Sequence, residues 1–315
     1  MTYSVSGLIQ ASDYNGFTGA SAANVSGQLN TVLGVGKGNA GYGQTAVSNV
    51  AATTDTVTAT QWTTLVNGVN TVRKHQSGAG FTNIGTYSAG TTINATNNIS
   101  GNLTTAYTSR LVYTAQGATL TGSTFSPVFT LPNQLLGTTF QFTRTATFAN
   151  ADAARYFWNA GGQLALTFIS GTNTGATTRG NDLIQMAVSN VAVKKVGGQD
   201  SVARTGTGGT VNTDLTTNSG YYTMTTANAT ITQITSGTYL YTSDTIKVYG
   251  KTNGVQGSNS DNGTIYSFGV DLTTANISRP SPVNDSINIT LNHRVDVIYP
   301  SSTFLANTWG SVTIA

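Results

Sequence analysis

The chain has 315 residues, a formal net charge of +3 and a sequence pI near 9.0, and only 8 % of its residues are charged, against roughly 25 % in an average soluble protein. All of its acids are Asp, Cys is absent and Gly numbers 36. This excludes disulfide frameworks, Cys-ligated metals and thiol nucleophiles, and it disfavours a helix-rich protein, which would place Glu on its exposed faces.

With 38 % hydrophobic and 9 % aromatic residues the chain can build a core and is not of disordered composition. Its cations are scattered, densest at Arg73-Lys74 and Lys194-Lys195, unlike the clustered patch of a nucleic-acid binder. The opening residues lack a basic stretch followed by an apolar one, and no run of about 18 apolar residues occurs. The expectation is synthesis in a cytoplasm, no export signal and no membrane insertion.

In chain order, residues 1–57 are small, polar and Gly-rich, notably Gly34 to Gln44, and read as an extended arm that docks on a neighbouring chain. Residues 58–80 hold a helix and linker. Thr58 and Gln61 form a capping box, Val57 and Trp62 the hydrophobic staple around it. Trp62, Leu65, Val66, Val69 and Val72 make one apolar stripe. Arg73, Lys74 and His75 sit in the last turn and Ser77-Gly78 ends it. The plain reading of the stripe is ordinary packing; the alternative is packing about a symmetry axis.

Residues 81–137 read as short strands and loops, with strands at Leu111–Tyr113 and Phe125–Phe129. Residues 138–315 read as an antiparallel β-sandwich. Its strands are Phe140–Phe148, Leu164–Phe168, Ile246–Val248 and Tyr266–Leu272, the last following an Asp261-Asn262-Gly263 turn. A short helix capped by Asn150 runs to Trp158, with Gly161 past its end. The strongest alternation is Ile287 to Tyr299, with one face apolar and one polar. Val312 and Ile314 suggest a closing strand. The predicted fold is mainly β: an antiparallel β-sandwich of jelly-roll or immunoglobulin-like type with a short helix, preceded by the extended arm and one amphipathic helix.

Few residues suggest chemistry. Gly36 to Gly41 has the G-x-G-x-x-G spacing, but no helix opens behind it to receive a pyrophosphate, and Gly38 stands where a phosphate-binding Gly-Lys loop needs Ser or Thr. The only histidines are His75, at a helix end, and His293, on the apolar face of its strand. Asp296 falls on the opposite face, which argues against a His–Asp couple. The Asp residues are isolated, without calcium-loop spacing. The sequons at Asn94, Asn98, Asn102 and Asn288 are expected by chance in so Asn- and Thr-rich a chain. No catalytic residue, cofactor or metal ligand is assigned.

Three segments in order, Gly38-Asn39-Ala40-Gly41-Tyr42-Gly43-Gln44, Val69 to Gln76, and Asn150-Ala151-Asp152-Ala153-Ala154-Arg155-Tyr156-Phe157-Trp158 running on to Gly162, resemble a family of tailed-bacteriophage virion structural proteins, often labelled tail-fibre-like. Thr308-Trp309-Gly310-Ser311-Val312-Thr313 fits too. The resemblance implies a particle component without known catalysis and transfers no catalytic residues. The expected function is a non-enzymatic part of a phage tail, fibre or neck, located in the virion. Its partners would be copies of itself, a trimer among them, and neighbouring virion proteins. The assembly candidates are Trp62, Leu65, Val66, Val69, Val72 and Tyr42. Deleting the residues before Val57 is expected to leave the sandwich folded. The rival readings are a module binding host surface glycan and, less favoured for want of an acid–base constellation, a polysaccharide depolymerase.

Overall fold

The computed structural model describes residues 10–19, 26–36, 38–51, 57–85, 87–88, 99–131, 137–175, 178–198, 221–236, 242–254, 262–275 and 286–315. Lys37, Asp261, Asn94 and Asn98 lie outside them. The architecture is a small helical layer joined to two antiparallel β-sheets.

The helical layer is built around α3, Ala59–Ser77. The capping box forms: the Gln61 N–H donates to Thr58 Oγ1 at 3.3 Å and the Thr58 N–H to Gln61 Oε1 at 2.7 Å. Gly78, at φ +84°, closes the helix with its N–H on Lys74 O. The apolar stripe is covered by α1 (Ala11–Thr18), α2 (Leu29–Val32) and α4 (Gly101–Thr108). Tyr14 and Phe17 of α1 stand edge-on to the Trp62 ring at 5.4 and 6.1 Å. Gly68 lets α2 lie against α3, since a Cβ there would come within 2.7 Å of Leu29.

Residues 1–57 are therefore not an extended arm where they are described. Tyr14, Phe17, Leu29, Val32, Leu33, Tyr42, Val47 and Val50 are buried in the chain's own core. The sequence disguises this because short helices supply few apolar residues each; only burial against α3 stabilises them. The segment from Ala40 to Ala51 is irregular but firmly held, because asparagine side chains take the place of a neighbouring strand. Asn30 pairs with both the N–H and the C=O of Val47 (2.8 Å each), and Asn15 does the same at Val50 (2.9 and 2.8 Å). Asn70 of α3 pairs likewise with Ile84. An amide side chain carries the same donor–acceptor couple as a peptide unit, so it satisfies a lone extended segment.

The first sheet runs in the order β1 (Gln116–Leu120), β9 (Ile287–Pro300), β4 (Gln163–Asn173), β5 (Val193–Val196), with β2 (Val128–Leu131) also on β9. The second runs β10 (Thr313–Ile314), β3 (Thr139–Thr147), β8 (Ile265–Thr273), β7 (Thr245–Thr252), β6 (Ala229–Thr235). β9 is the long central strand, with Ile287, Ile289, Leu291, His293, Val295 and Val297 all buried. The sheets face each other through Phe129 of β2, whose ring lies 5.3 Å from Phe140 and 6.1 Å from Phe142 of β3. At one end α5, Ala151–Asn159, seats Phe157 and Trp158 against Phe148 and Tyr266. Its cap is as expected: the Ala153 N–H donates to Asn150 Oδ1 at 2.8 Å. One side of the sandwich is closed by α6 (Thr178–Gln185) and the π-helical turn Met186–Val191, which pack on β4 and β6.

Two boundaries and one burial pattern differ from expectation. The sandwich begins at Gln116, since β1 and β2 both pair with β9. Leu111–Tyr113 is no strand; it follows α4 as a turn, with Leu111 and Tyr113 buried, the Tyr113 hydroxyl accepting from Gln163 at 2.9 Å. Gln163 and Ala165, on the polar parity of β4, are buried as well. Among the described residues no helix is long and apolar enough to cross a membrane.

Among the described residues the buried Tyr266 hydroxyl has no hydrogen-bond partner; it is wedged against Gly250, where a Cβ would come within 2.2 Å of it. Removing an unsatisfied buried hydroxyl costs nothing and relieves a desolvation penalty. Tyr266→Phe should raise the unfolding free energy by up to about 1 kcal/mol; a urea midpoint that falls clearly would show that the hydroxyl has a stabilising partner.

Candidate functional site

The segments that carry the resemblance converge in one buried junction between helical layer and sandwich. Tyr42 sits at its centre, fully buried. Its hydroxyl donates to Arg110 O at 2.7 Å and accepts from Gln76 Nε2 at 3.2 Å. Its ring meets His75 edge-on at 5.2 Å, and its carbonyl accepts from Thr308 Oγ1 at 2.8 Å. His75 donates from Nε2 to Ala160 O at 3.0 Å, joining α3 to the end of α5. From α5, Arg155 reaches Gly36 O at 2.6 Å and Asn159 reaches Gly41 O at 3.0 Å. Arg155 also pairs with Asp152 at 2.6 Å.

The glycine spacing is explained by this junction. Gly41 and Gly43 have φ of +94° and +69°; a Cβ on Gly41 would lie 2.3 Å from Val35 O, and one on Gly43 2.4 Å from the Tyr156 ring. A phosphate-binding loop turns its N–H groups toward the ligand. Here the carbonyls of Gly36, Asn39 and Gly41 face the donors Arg155, Arg110 and Asn159. The N–H groups of Tyr42, Gly43 and Gln44 go to the carbonyls of Val32, Gly34 and Leu33. The loop presents acceptors to two arginines and an amide of its own chain, the reverse of an anion cradle.

Each assembly candidate is thereby relocated. Trp62, Leu65, Val66, Val69, Val72 and Tyr42 are each no more than 2 % exposed. They are covered by α1, α2 and the junction, so none offers a free surface for attachment. Sequence reasoning missed Arg110, Arg155 and Asn159 as the donors that hold the loop. The stretch Asn150 to Gly162, already singled out, contains two of them, Arg155 and Asn159.

The second polar cluster centres on His293, buried on the inner face of β9. Its Nδ1–H donates to Leu291 O at 3.2 Å and its Nε2 accepts from Arg144 Nε at 2.9 Å. The imidazole stacks on Phe142 at 4.2 Å and on Phe125 at 5.8 Å, and the Arg144 guanidinium lies 3.9 Å over the Phe125 ring. Asp296 points to the other face, bound by Arg294 Nε at 2.8 Å and the Gly122 N–H at 3.0 Å. Burial, with the Arg144 charge adding to it, lowers the His293 pKa to about 4.

That value is below the unfolded one of about 6.5, so between these pH values the unfolded chain binds the extra proton. Stability should hold above pH ~6.5, fall as pH drops toward 4, and be lost in full below it, by roughly 2–3 kcal/mol. The check is the urea midpoint against pH for wild type and His293→Gln. The difference between the curves should narrow through that window; parallel curves would refute the buried neutral imidazole.

A third cluster is the ion pair of Arg179 in α6 with Asp244, just before β7. Nε and Nη2 of Arg179 meet the two carboxylate oxygens at 2.6 and 2.5 Å, and both side chains are fully buried. Ala275 adds its carbonyl to Arg179 and its N–H to Asp244. Ser236 donates to Asp182 alongside at 2.5 Å. Among the described residues no three His, Cys, Asp or Glu side chains group as a metal site.

The open surface has a groove of about 540 Å³ between the 44–49 segment and the outer face of α3. Gln44, Ser48, Asn49, Thr60, Thr64 and Asn67 line it with neutral hydrogen-bonding groups, beside the apolar Leu33, Ala46 and Val47. Comparison with protein-family models, with curated proteins and with solved structures finds no match.

Proposed function

We propose that this chain is a non-catalytic structural component of a tailed-phage virion, in the tail, a fibre or the neck. It would be made in the host cytoplasm and work by assembly with neighbouring virion proteins and copies of itself, without nucleic acid, cofactor or membrane insertion. The observation that carries the reading is the junction. The segments resembling that family form a single interlocked core around Tyr42, and their polar groups hold two layers of the fold together. Both histidines are engaged in the same way, His75 on Ala160 and His293 on Arg144 and Leu291. Low surface charge suits close subunit packing, since few ions need desolvating.

An antibody against the chain should label purified particles of the phage that encodes it at a fixed position on the tail or neck. Absence of the chain from washed particles would refute the proposal.

The α3 groove favours a second reading, a module that binds host surface glycan through neutral hydrogen-bonding side chains. Isolated chain binding to host cells, competed by their purified polysaccharide and lost in Asn67→Ala/Thr64→Ala, would establish it.

A further inference from the structure

The two sides of the sandwich are unlike. One is closed by α6 and the π-helical turn. On the other, both sheets end in strands whose outer hydrogen-bonding edges are largely unpaired among the described residues. In β3, Thr145 exchanges both backbone bonds with Ala315 (2.8 and 3.0 Å). Strand alternation therefore turns the N–H and C=O of Thr143, Gln141 and Thr139 to that same outer edge. β10 pairs only with Ala146 and Thr147, and among the described residues only Thr143 O of the outer groups has a partner, Arg144 Nη1 at 2.9 Å. In β2, Phe125 and Pro127 bond inward to β9, so Val128 and Thr130 turn their backbone groups outward. Val128 is 61 % exposed, and Phe140 and Phe142 are only half-buried at this side.

We propose that this side of the sandwich is a two-fold interface, on which a second copy of the chain extends both sheets at once. An antiparallel edge is complementary to itself only across a two-fold axis. For β3 that axis passes Gln141, setting Gln141 opposite itself and Thr139 opposite Thr143 of the second copy. For β2 it passes Phe129, setting Val128 opposite Thr130.

These two centres already face each other. The Phe129 ring packs on Phe140 and Phe142, the residues on either side of Gln141. One axis normal to the sheets thus serves both edges. It also brings Phe140 against Phe142 of the copy, covering aromatic surface that is otherwise half-open. The outward side chains Thr139, Gln141 and Thr143 carry no charge, so like copies meet without repulsion, and the Thr139–Thr143 stretch of β3 lacks the Lys or Pro that guards a strand meant to stay single. The window has a natural end: Ala315 occupies Thr145.

The inference rests on the assembly reading, and the experiment separates the two. Light scattering of the whole chain over a range of concentrations should give a dimer. Gln141→Pro removes an N–H that has no partner among the described residues, and should raise the dimer dissociation constant at least about tenfold, with folding checked by circular dichroism. The chain has no Cys, so Gln141→Cys places one thiol per copy at the axis. Opposed Cα atoms there would be about 5.5 Å apart, within disulfide reach. Oxidation should cross-link Gln141→Cys to a covalent dimer. Thr139→Cys alone should not cross-link, and a mixture of Thr139→Cys with Thr143→Cys should.

A trimer, a monomer at all concentrations, or a Gln141→Cys yield no higher than that of Thr139→Cys would overturn the two-fold interface. Particle labelling would still stand as the separate test of assembly. Cross-linked dimers of a chain absent from particles would keep the interface and remove the virion role.

Discussion

Asp244→Ala should lower the unfolding free energy by about 3–5 kcal/mol, read as a shift of the urea midpoint at unchanged m-value. The reason is asymmetric loss. Arg179 is completely buried, and its fork is matched to the Asp244 carboxylate by two short bonds. Without Asp244 its charge stays in the interior, held by neutral acceptors such as Ala275 O. The damage also reaches the backbone, because the Ala275 N–H bonds the same carboxylate. Replacing both partners with apolar residues of similar size, Arg179→Met/Asp244→Leu, should cost much less than Asp244→Ala alone, since no uncompensated charge remains. If the double variant is as unstable as the single one, the pair's value lies in its geometry rather than in charge balance.

Trp62→Ala should cost about 3–5 kcal/mol. The ring is enclosed by Tyr14, Phe17 and Tyr87 at centroid distances of 5.4, 6.1 and 6.4 Å, contributed by segments before and after α3. Three aromatic neighbours on two segments, α1 and the stretch at Tyr87, cannot all collapse into the void, so transfer and cavity terms add. Tryptophan fluorescence and proteolysis should show α1 loosened while the sandwich stays protected. A cost below about 1 kcal/mol would mean that the helical layer is not packed around Trp62. The same packing revises the truncation expectation. Removing residues before Val57 would strip Tyr14, Phe17, Leu29 and Tyr42 from the core and leave Arg110, Arg155 and Asn159 without their loop acceptors. The remainder should lose stability rather than survive as an intact sandwich, and a folded, unaltered fragment would refute the junction's role.

Legibility followed how local each interaction is. Thr58 with Gln61, and Asn150 with the Ala153 N–H, are satisfied within one turn, so the residues name their own helix starts. The alternation from Ile287 to Val297 reports a strand with one face inward, and burial follows it. α1 was hidden because its cap is Gln10, not a favoured N-cap type, and because Tyr14 and Phe17 stand in a polar run. Leu111 and Tyr113 alternate like a strand, yet both are buried from a turn, Tyr113 by Gln163 and Gly161 contacts distant in sequence. The motif segments were recognisable as strings of residues, but their work was not. Gly41 and Gly43 are explained only by Val35 and Tyr156, and the loop's acceptor character only by Arg110, Arg155 and Asn159.

Composition and periodicity by themselves determined that this is a β-rich chain with a core, no thiol chemistry, one strongly capped helix and a long inward-facing final strand. These are properties of neighbouring residues, decided by propensity, capping and a period of two. Only the tertiary structure decided that the polar N-terminal region folds onto α3, that Tyr42 and the Trp62 stripe are interior, and that one side of the sandwich is left with open edges. Those outcomes depend on which segments meet across long stretches of chain, where each buried polar group must find its partner and each apolar face its cover, and no local pattern records that choice.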